Sequence, residues 1–400
     1  MKLKNHLLFT FIFVGLAIDS TKAVEESIRR VAPRTSYSKA VVVTGKELIQ
    51  SAQFYPTADG RKITADSAAA QVRQIFENLS NMLFEAGAQQ TDLVKLNFYV
   101  ASPEVRRLAI EQLRVWSGGK DLPAVSFVQS RLPYEESFIA CDFVSAVAPA
   151  GMKEPSRGIR DGSRTWEKHA DFCQIPSGDL IYISGQAKQG DDLGEATRAT
   201  LESLEQTLGQ LQRSKRDIVQ IKCFLNPMEK VEHVTEQIHV FFEDELVPPL
   251  SHVEWTSTGL PIEIEMVVAS PPTDAENSIT VITPKGMTHS PVFSRVIWVQ
   301  SDTHIFLSSV SDDASDGAVR EAESVFKELK MVLNECNSDF RHLVKATYYV
   351  SSNAASSALN EIRPTLYDPK RPPAASKAAV RGIGLDVGEL SVDLIAVPRK

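Results

Sequence analysis

Glu263 and Glu265 lie two residues apart in the run Ile262-Glu263-Ile264-Glu265-Met266-Val267-Val268. Side chains alternate across a strand, so both carboxylates project from one face. Such a pair is either two solvated strand charges or a group able to hold and deprotonate water. Cys141, Cys173, Cys223 and Cys336 lack metal-ligand spacing, and four cysteines in a chain this long form no disulfide scaffold. Cys141 and Cys223 sit in apolar runs and read as buried small hydrophobes. No nucleophile elbow, phosphate loop, metal cluster or nucleic-acid motif occurs elsewhere.

The elements that position the two glutamates are written three times. Asp92-Leu93-Val94-Lys95-Leu96-Asn97-Phe98-Tyr99-Val100 returns as the run from Asp217 to Leu225 and as the run from His342 to Val350, so that Val94, Val219 and Val344 are 125 residues apart. Leu79, Leu204 and Leu329 keep that interval, and so do Leu83, Leu208 and Leu333. Pro123 and Ser126, Pro248 and Ser251, and Pro373 and Ser376 keep it downstream. A fixed period of this length marks a repeated domain rather than a solenoid unit. The copies occupy residues 33–148, 165–270 and 278–398, separated by Pro- and Gly-bearing linkers at 149–164 and 270–277.

Within copy one, Tyr37 to Val43 and Leu48 to Gln53 read as a β-hairpin turned at Gly45. Asp66 to Ala86 is a helix with Val72, Ile75, Phe76, Leu79 and Leu83 on one face. The repeated strand follows, with Val94, Leu96, Phe98 and Val100 alternating against Lys95, Asn97 and Tyr99. A second helix, Pro103 to Trp116, leads to strands Ala124 to Gln129 and Phe138 to Val147, joined by a hairpin around Pro133. The unit is ββαβαββ, and its strands and helices mix without strict alternation, which favours an α+β fold.

Hydrophobic residues make up 43% and charged residues 24%, enough for each copy to bury its own core. The net charge of −8 and the absence of a basic stripe argue against nucleic-acid binding. Residues 1–23 carry Lys2 and Lys4, an apolar run from Leu7 to Ile18, and Ala23 after it. This reads as a secretory signal peptide, with a retained membrane anchor as the alternative; the mature protein is then periplasmic or secreted. No other segment is long and apolar enough to span a membrane.

The string Tyr37-Ser38-Lys39-Ala40-Val41, the Ser184-Gly185-Gln186 string, the repeated Val-Lys strand, the Pro-x-x-Ser strand and Ile262-Glu263-Ile264-Glu265 together resemble the RidA/YjgF family. Its members are also called reactive-intermediate deaminases or endoribonuclease L-PSP. The resemblance covers nearly all of residues 33–398, once per copy. It implies a chorismate-mutase-like α+β unit that assembles as a homotrimer, with sheets inside, helices outside and clefts between subunits. Three linked copies would then form an intramolecular pseudo-trimer, monomeric in solution, since tethering holds the domains at an effective concentration on the order of millimolar.

The same resemblance implies hydrolysis of small enamines and imines to ketoacids and ammonia without a metal or organic cofactor. In the family site an Arg before the strand Ser grips the substrate carboxylate, a Glu on the next strand holds water, and a Tyr and a Ser line the cleft from a neighbour. Here the Arg position is Val125, Leu250 and Ala375 in the three copies. Two residues further on stand Phe127, His252 and Lys377, so a cation is expected at the clefts of copies two and three, against the alternative of surface charges. The cleft Tyr corresponds to Tyr37, and the cleft Ser to Ser51, Ser184 and Ser308. The water-holding Glu corresponds to Glu263 or Glu265, with Asp142 and Asp393 the nearest acids in the other copies. His252 is expected to titrate in its ordinary range and to hold a carboxylate better below about pH 6.5.

Three functions fit these residues: an exported deaminase-like enzyme, a non-catalytic protein binding a small carboxylate in the same clefts, and an endoribonuclease, which the acidic balance disfavours.

Overall fold

The computed structural model describes residues 27–57, 63, 65–159, 169–257, 259–312 and 316–399. The signal-peptide reading of residues 1–23 and the opening of copy two at Trp166 lie outside the described residues. Copy one contains β1 (Ile28–Pro33), β2 (Ser38–Thr44), β3 (Glu47–Ser51), α1 (Ala68–Glu85), β4 (Leu93–Val100), α2 (Pro103–Ser117), β5 (Ala124–Gln129) and β6 (Ile139–Val147). Copy two contains β7 (Ser156–Gly158), β8 (Phe172–Ile175), β9 (Asp179–Gln186), α3 (Leu193–Gln210), β10 (Ile218–Leu225), α4 (Val231–Phe242), β11 (Leu250–Glu254) and β12 (Ile262–Ser270). Copy three contains β13 (Ile279–Ile282), β14 (Val296–Val299), β15 (Thr303–Leu307), the short β16 (Val310–Ser311), α5 (Ala318–Glu335), β17 (Leu343–Val350), α6 (Asn353–Leu366), β18 (Ala374–Ala379) and β19 (Leu390–Ala396). The fold is mixed α+β.

Local chemistry sets the helix ends. The Ser67 hydroxyl accepts from the Ala70 amide at the start of α1, and Ser102 does the same for Val105 ahead of Pro103. Gly118 closes α2 with a left-handed φ of 62°. The apolar face of α1 packs under its own sheet through Val72, Ile75, Phe76, Leu79 and Leu83.

The repeated strand is the centre of each sheet. β4 runs parallel to β5 from Lys95 opposite Ala124 to Val100 opposite Gln129, and antiparallel to β6. A parallel neighbour needs a crossover, which α2 supplies. β5 and β6 therefore flank β4 on opposite sides, and the expected hairpin around Pro133 is instead a connection across it. β10 and β17 repeat the arrangement with β11 and β12, and with β18 and β19.

The expected hairpin of β2 and β3 also does not form. β2 pairs with β15 of copy three, β8 pairs with β3 of copy one, and β14 pairs with β9 of copy two. Each copy thus lends an early strand to the sheet of another, in cyclic order. Backing strands β1, β7 and β13 pair with these arms. β7 falls inside the segment 149–164 read from sequence as linker. A short apolar run flanked by turns looks the same whether its partner is the next run or a distant one.

A bulge in the β4–β6 ladder between Leu93 and Lys95, repeated in the other two copies, changes which side chains face inward. Leu93, Leu96, Phe98 and Val100 point into the helix-covered core of copy one. Val94 turns the other way and joins Val219 and Val344 in a single apolar cluster shared by all three copies. The simple alternation expected for Val94 with Leu96 is corrected by this bulge.

Candidate functional site

Where the three copies meet, the inward faces of β4, β10 and β17 form layers. The layer beyond the valines is ionic. Lys95 Nζ donates to Ser126 Oγ at 2.7 Å, to the Leu307 carbonyl and to Asp393 at 2.7 Å. Lys345 donates to Glu265, which also accepts from Ser376 at 2.6 Å. Asp142 accepts from Asn97 at 2.6 Å, Tyr99 at 2.5 Å and Ser251 at 2.7 Å. Burial opposes the charge on Lys222, but the Tyr99 and Tyr349 hydroxyls and the Asp142 and Glu265 carboxylates outweigh it and hold its pKa well above the usual lysine value. The next layer is the cluster containing Tyr99, Phe224 and Tyr349. At its end Glu254 accepts from Arg381 at 2.9 Å and from the Arg131 amide at 3.2 Å. Asp142, Asp393 and Glu265 therefore join copies together, and so do Arg131 and Arg381.

Away from this layer, serine side chains bond one copy to the next. Between copies two and three, Ser184 donates to the Ser294 carbonyl at 2.5 Å and accepts from the Ala375 amide at 2.7 Å. Between copies three and one, Ser308 donates to the Ser38 carbonyl at 2.6 Å and accepts from the Val125 amide at 2.7 Å. The corresponding residue of copy one is Ala52, whose amide bonds Asp171 just as the Ser184 amide bonds Arg295. Ser51 is one residue early in the pleat and faces its own copy, accepting from the Phe143 amide at 2.8 Å. The assignment of Ser51 to a cleft is corrected by that one-residue step.

Glu263, on β12 of copy two, stands near Ser376 and Lys377 of copy three. Its carboxyl rests on Gly185, where an added Cβ would stand 2.0 Å from Oε1. Burial and then the Glu265 charge raise its pKa to about 7, against the pull of Ser376, Lys345 and Lys377. In copy three, Lys377 Nζ donates to Ser356 at 3.0 Å. Burial lowers the Lys377 pKa, as does the neighbouring Arg363, while Glu263 raises it. Arg363 is buried, donates to Asn360 at 2.6 Å and lies 4.9 Å above the Tyr348 ring. Among the described residues no acid lies within ion-pairing distance of Lys377 or Arg363. Sequence reasoning missed Arg363, Ser356 and Asn360 because they belong to α6, whose outward spacing resembles any solvated helix face.

Between copies one and two, the His252 amide donates to Gln53 at 3.0 Å and Gln53 donates back to the His252 carbonyl at 3.1 Å. The His252 ring is buried. Burial, with His169 adding to it, lowers its pKa to about 4. The expectation of an ordinary imidazole that grips a carboxylate below pH 6.5 is therefore corrected: the ring is neutral in mild acid. Tyr37 is partly buried against the copy-one core.

All four cysteines are free and buried. Burial raises every thiol pKa, to about 12 for Cys173 and Cys336. Among the described residues no group of three or more His, Cys, Asp or Glu is placed to hold a metal ion, and no helix is long and apolar enough to cross a membrane.

A mixed α+β unit with a central repeated strand defines the class. The endoribonuclease L-PSP family matches residues 27–135 and 169–270, more than half of the chain, and the chain belongs to that family, which includes the RidA/YjgF proteins. Similar solved structures include NMB1025, a YjgF-family protein from Neisseria meningitidis, at 20% identity over 30% of this chain and 96% of that one, with a TM-score of 0.24. YyfB, of the Rid family from Yersinia pestis, is 25% identical over 30% of this chain and all (100%) of its own, with a TM-score of 0.28. Yeast Mmf1 is 18% identical over 32% and 98%, with a TM-score of 0.22. No curated protein matches the chain.

Proposed function

We propose that the three copies form an intramolecular pseudo-trimer, and that the cleft between copies two and three hydrolyses small enamines or imines bearing a carboxylate. The observation carrying this reading is that Glu263, with a pKa of about 7, lies near Lys377, which has Arg363 beside it and no ion-pair partner closer than Glu263 among the described residues. A carboxyl with that pKa suits proton transfer near neutrality. The cations receive the substrate carboxylate, replacing the Arg that the family carries at the Ala375 position. An enamine reaches the protonated imine by taking up a proton at its β-carbon, and Glu263 takes a proton from water as the water oxygen bonds to the imine carbon. The protonated Glu263 then gives that proton to the carbinolamine nitrogen, and the C–N bond breaks as Glu263 takes up the hydroxyl proton, releasing a carbonyl compound and ammonia.

The test uses an enamine generated in situ from an amino acid, with ketoacid release as the readout. Glu263→Gln is expected to lower kcat/KM by about 100-fold or more, within the usual range for a lost general base. In the parent, kcat/KM rises with pH through about 7 as Glu263 ionises, and the Gln variant lacks that rise. Lys377→Ala raises KM more than it lowers kcat. The stability has the opposite slope. Because folding raises the Glu263 pKa from 4.5 to about 7, stability falls as pH rises across that window, and Glu263→Gln flattens the fall.

A second reading, a binding protein without catalysis, is favoured by Val125, Leu250 and Ala375 at the family's Arg position. It predicts ketoacid binding with no ketoacid release. Under either reading the chain is a monomer in solution. Light scattering is expected to give a mass no greater than 44.1 kDa, and about three times that mass would refute internal closure. Export rests on residues 1–23 alone, and a mature amino terminus near residue 24 is the expected result of sequencing the exported protein.

A further inference from the structure

A cavity of about 540 Å³ opens at the carboxyl end of α3, lined only by residues of copy two. Its volume falls within the span usual for small-molecule sites, about 300–1,000 Å³. The helices α1, α3 and α5 begin and end at the same 125-residue interval, so positions along them can be compared directly. Gly209 gives the cavity its opening. An added Cβ there would meet nothing within 4 Å, whereas the equivalent residues are Phe84, 83% exposed, in copy one and Asn334 in copy three. The charge is particular to copy two as well: Arg213 stands where the other copies have the buried Ala88 and Ser338. Arg213 Nε is buried without a hydrogen-bond partner, and among the described residues no acid lies within ion-pairing distance of the guanidinium.

The two acids of the lining are already engaged, Glu205 with Lys215 at 3.1 Å and Glu245 with Arg216 at 2.8 Å. Lys215 is held as well by the Phe241 carbonyl at 2.7 Å. Arg216 reaches Glu245 through Nε, and its Nη groups make no hydrogen bond among the described residues. The bonding capacity left open is therefore that of two guanidinium forks, which an anion with several oxygens can share. A phosphate monoester brings three terminal oxygens and close to two negative charges near neutral pH. We propose that this cavity binds a small organic phosphate monoester, with Arg213 and Arg216 on the phosphate and the organic part over Leu208 and Gly209. The site is separate from Glu263: that residue pairs with Phe224, six residues along β10 from Ile218 at the cavity end, which is roughly 20 Å at about 3.3 Å per residue. It does not rest on the proposed hydrolysis.

Calorimetric titration of the purified protein with sn-glycerol 3-phosphate at pH 7.5 tests it. One site is expected in the parent, weakened at least about tenfold in Arg213→Ala, which removes a charged contact. Gly209→Phe leaves every charge in place and is expected to weaken the site as much, by filling the opening. Both side chains already stand at the equivalent positions of copy one, as Ala88 and Phe84, so each variant is expected to unfold in denaturant at the parent's midpoint. No binding in the parent, or affinity unchanged in either variant, would overturn the proposal. Glycerate binding as tightly as the ester would refute the phosphate assignment, and inorganic phosphate binding as tightly would refute the organic part. Binding to vesicles containing phosphatidate, without binding to the soluble ester, would overturn the assignment to a small molecule.

Discussion

Asp142→Ala is expected to destabilise the protein by several kcal/mol, because it removes a buried acceptor of three hydrogen bonds. Asp142 has no exposed surface and accepts hydrogen bonds from Asn97 and Tyr99 of its own copy and from Ser251 of copy two. It is also one of the two carboxylates that keep Lys222 charged at the axis. Alanine would leave three donors unmatched and a buried ammonium with less compensation, and no solvent is at hand to replace the lost acceptor. The measurement is the midpoint of denaturant unfolding at constant slope. Adding Lys222→Met in the same chain should return part of the loss, because the uncompensated charge goes with it. A midpoint like the parent's in Asp142→Ala would mean that the carboxylate is not held between copies.

Val219→Asp and Val344→Asp are expected to cost several kcal/mol each. Both valines are fully buried in the apolar cluster that also holds Val94, Ile297, Val299 and Phe306, drawn from all three copies. An introduced carboxylate there is surrounded by apolar side chains and must either stay charged in an apolar layer or take up a proton at a cost. The damage falls on contacts between copies as well as on any one sheet. Thermal unfolding is the test. If both variants melt with the parent, the axial cluster does not close. The contrast with Leu96 is instructive: Leu96→Asp would strike the core under the helices of copy one alone, since the bulge divides the two sets of side chains.

The fixed interval of 125 residues, the helix faces and the organising strand were legible in the sequence because they depend on local periodicity. The observed helices begin and end within a few residues of the predicted ones, where Ser67, Ser102 and Gly118 cap them. Family membership was legible as well, since individually weak motifs stand in one shared order across the three copies. Glu263 stood out as a carboxylate in an apolar strand. Its raised pKa did not, because that follows from burial beside Glu265 and from Gly185 giving it room.

Strand partners were decided only by the tertiary structure. β2, β8 and β14 carry the apolar pattern of hairpin arms, yet each pairs with another copy, and pattern alone does not distinguish a near partner from a far one of the same shape. A single bulged residue sends Val94 to the axis and leaves Leu96 in the core, a step that period-two reading cannot register. The same limit separates Ser51 from Ser184 and Ser308. Charges were the hardest to read. Lys95, Asp142, Glu265 and Lys345 look like solvated strand residues in a one-dimensional sequence, and they are buried because each finds its counter-charge or its donors on a different copy.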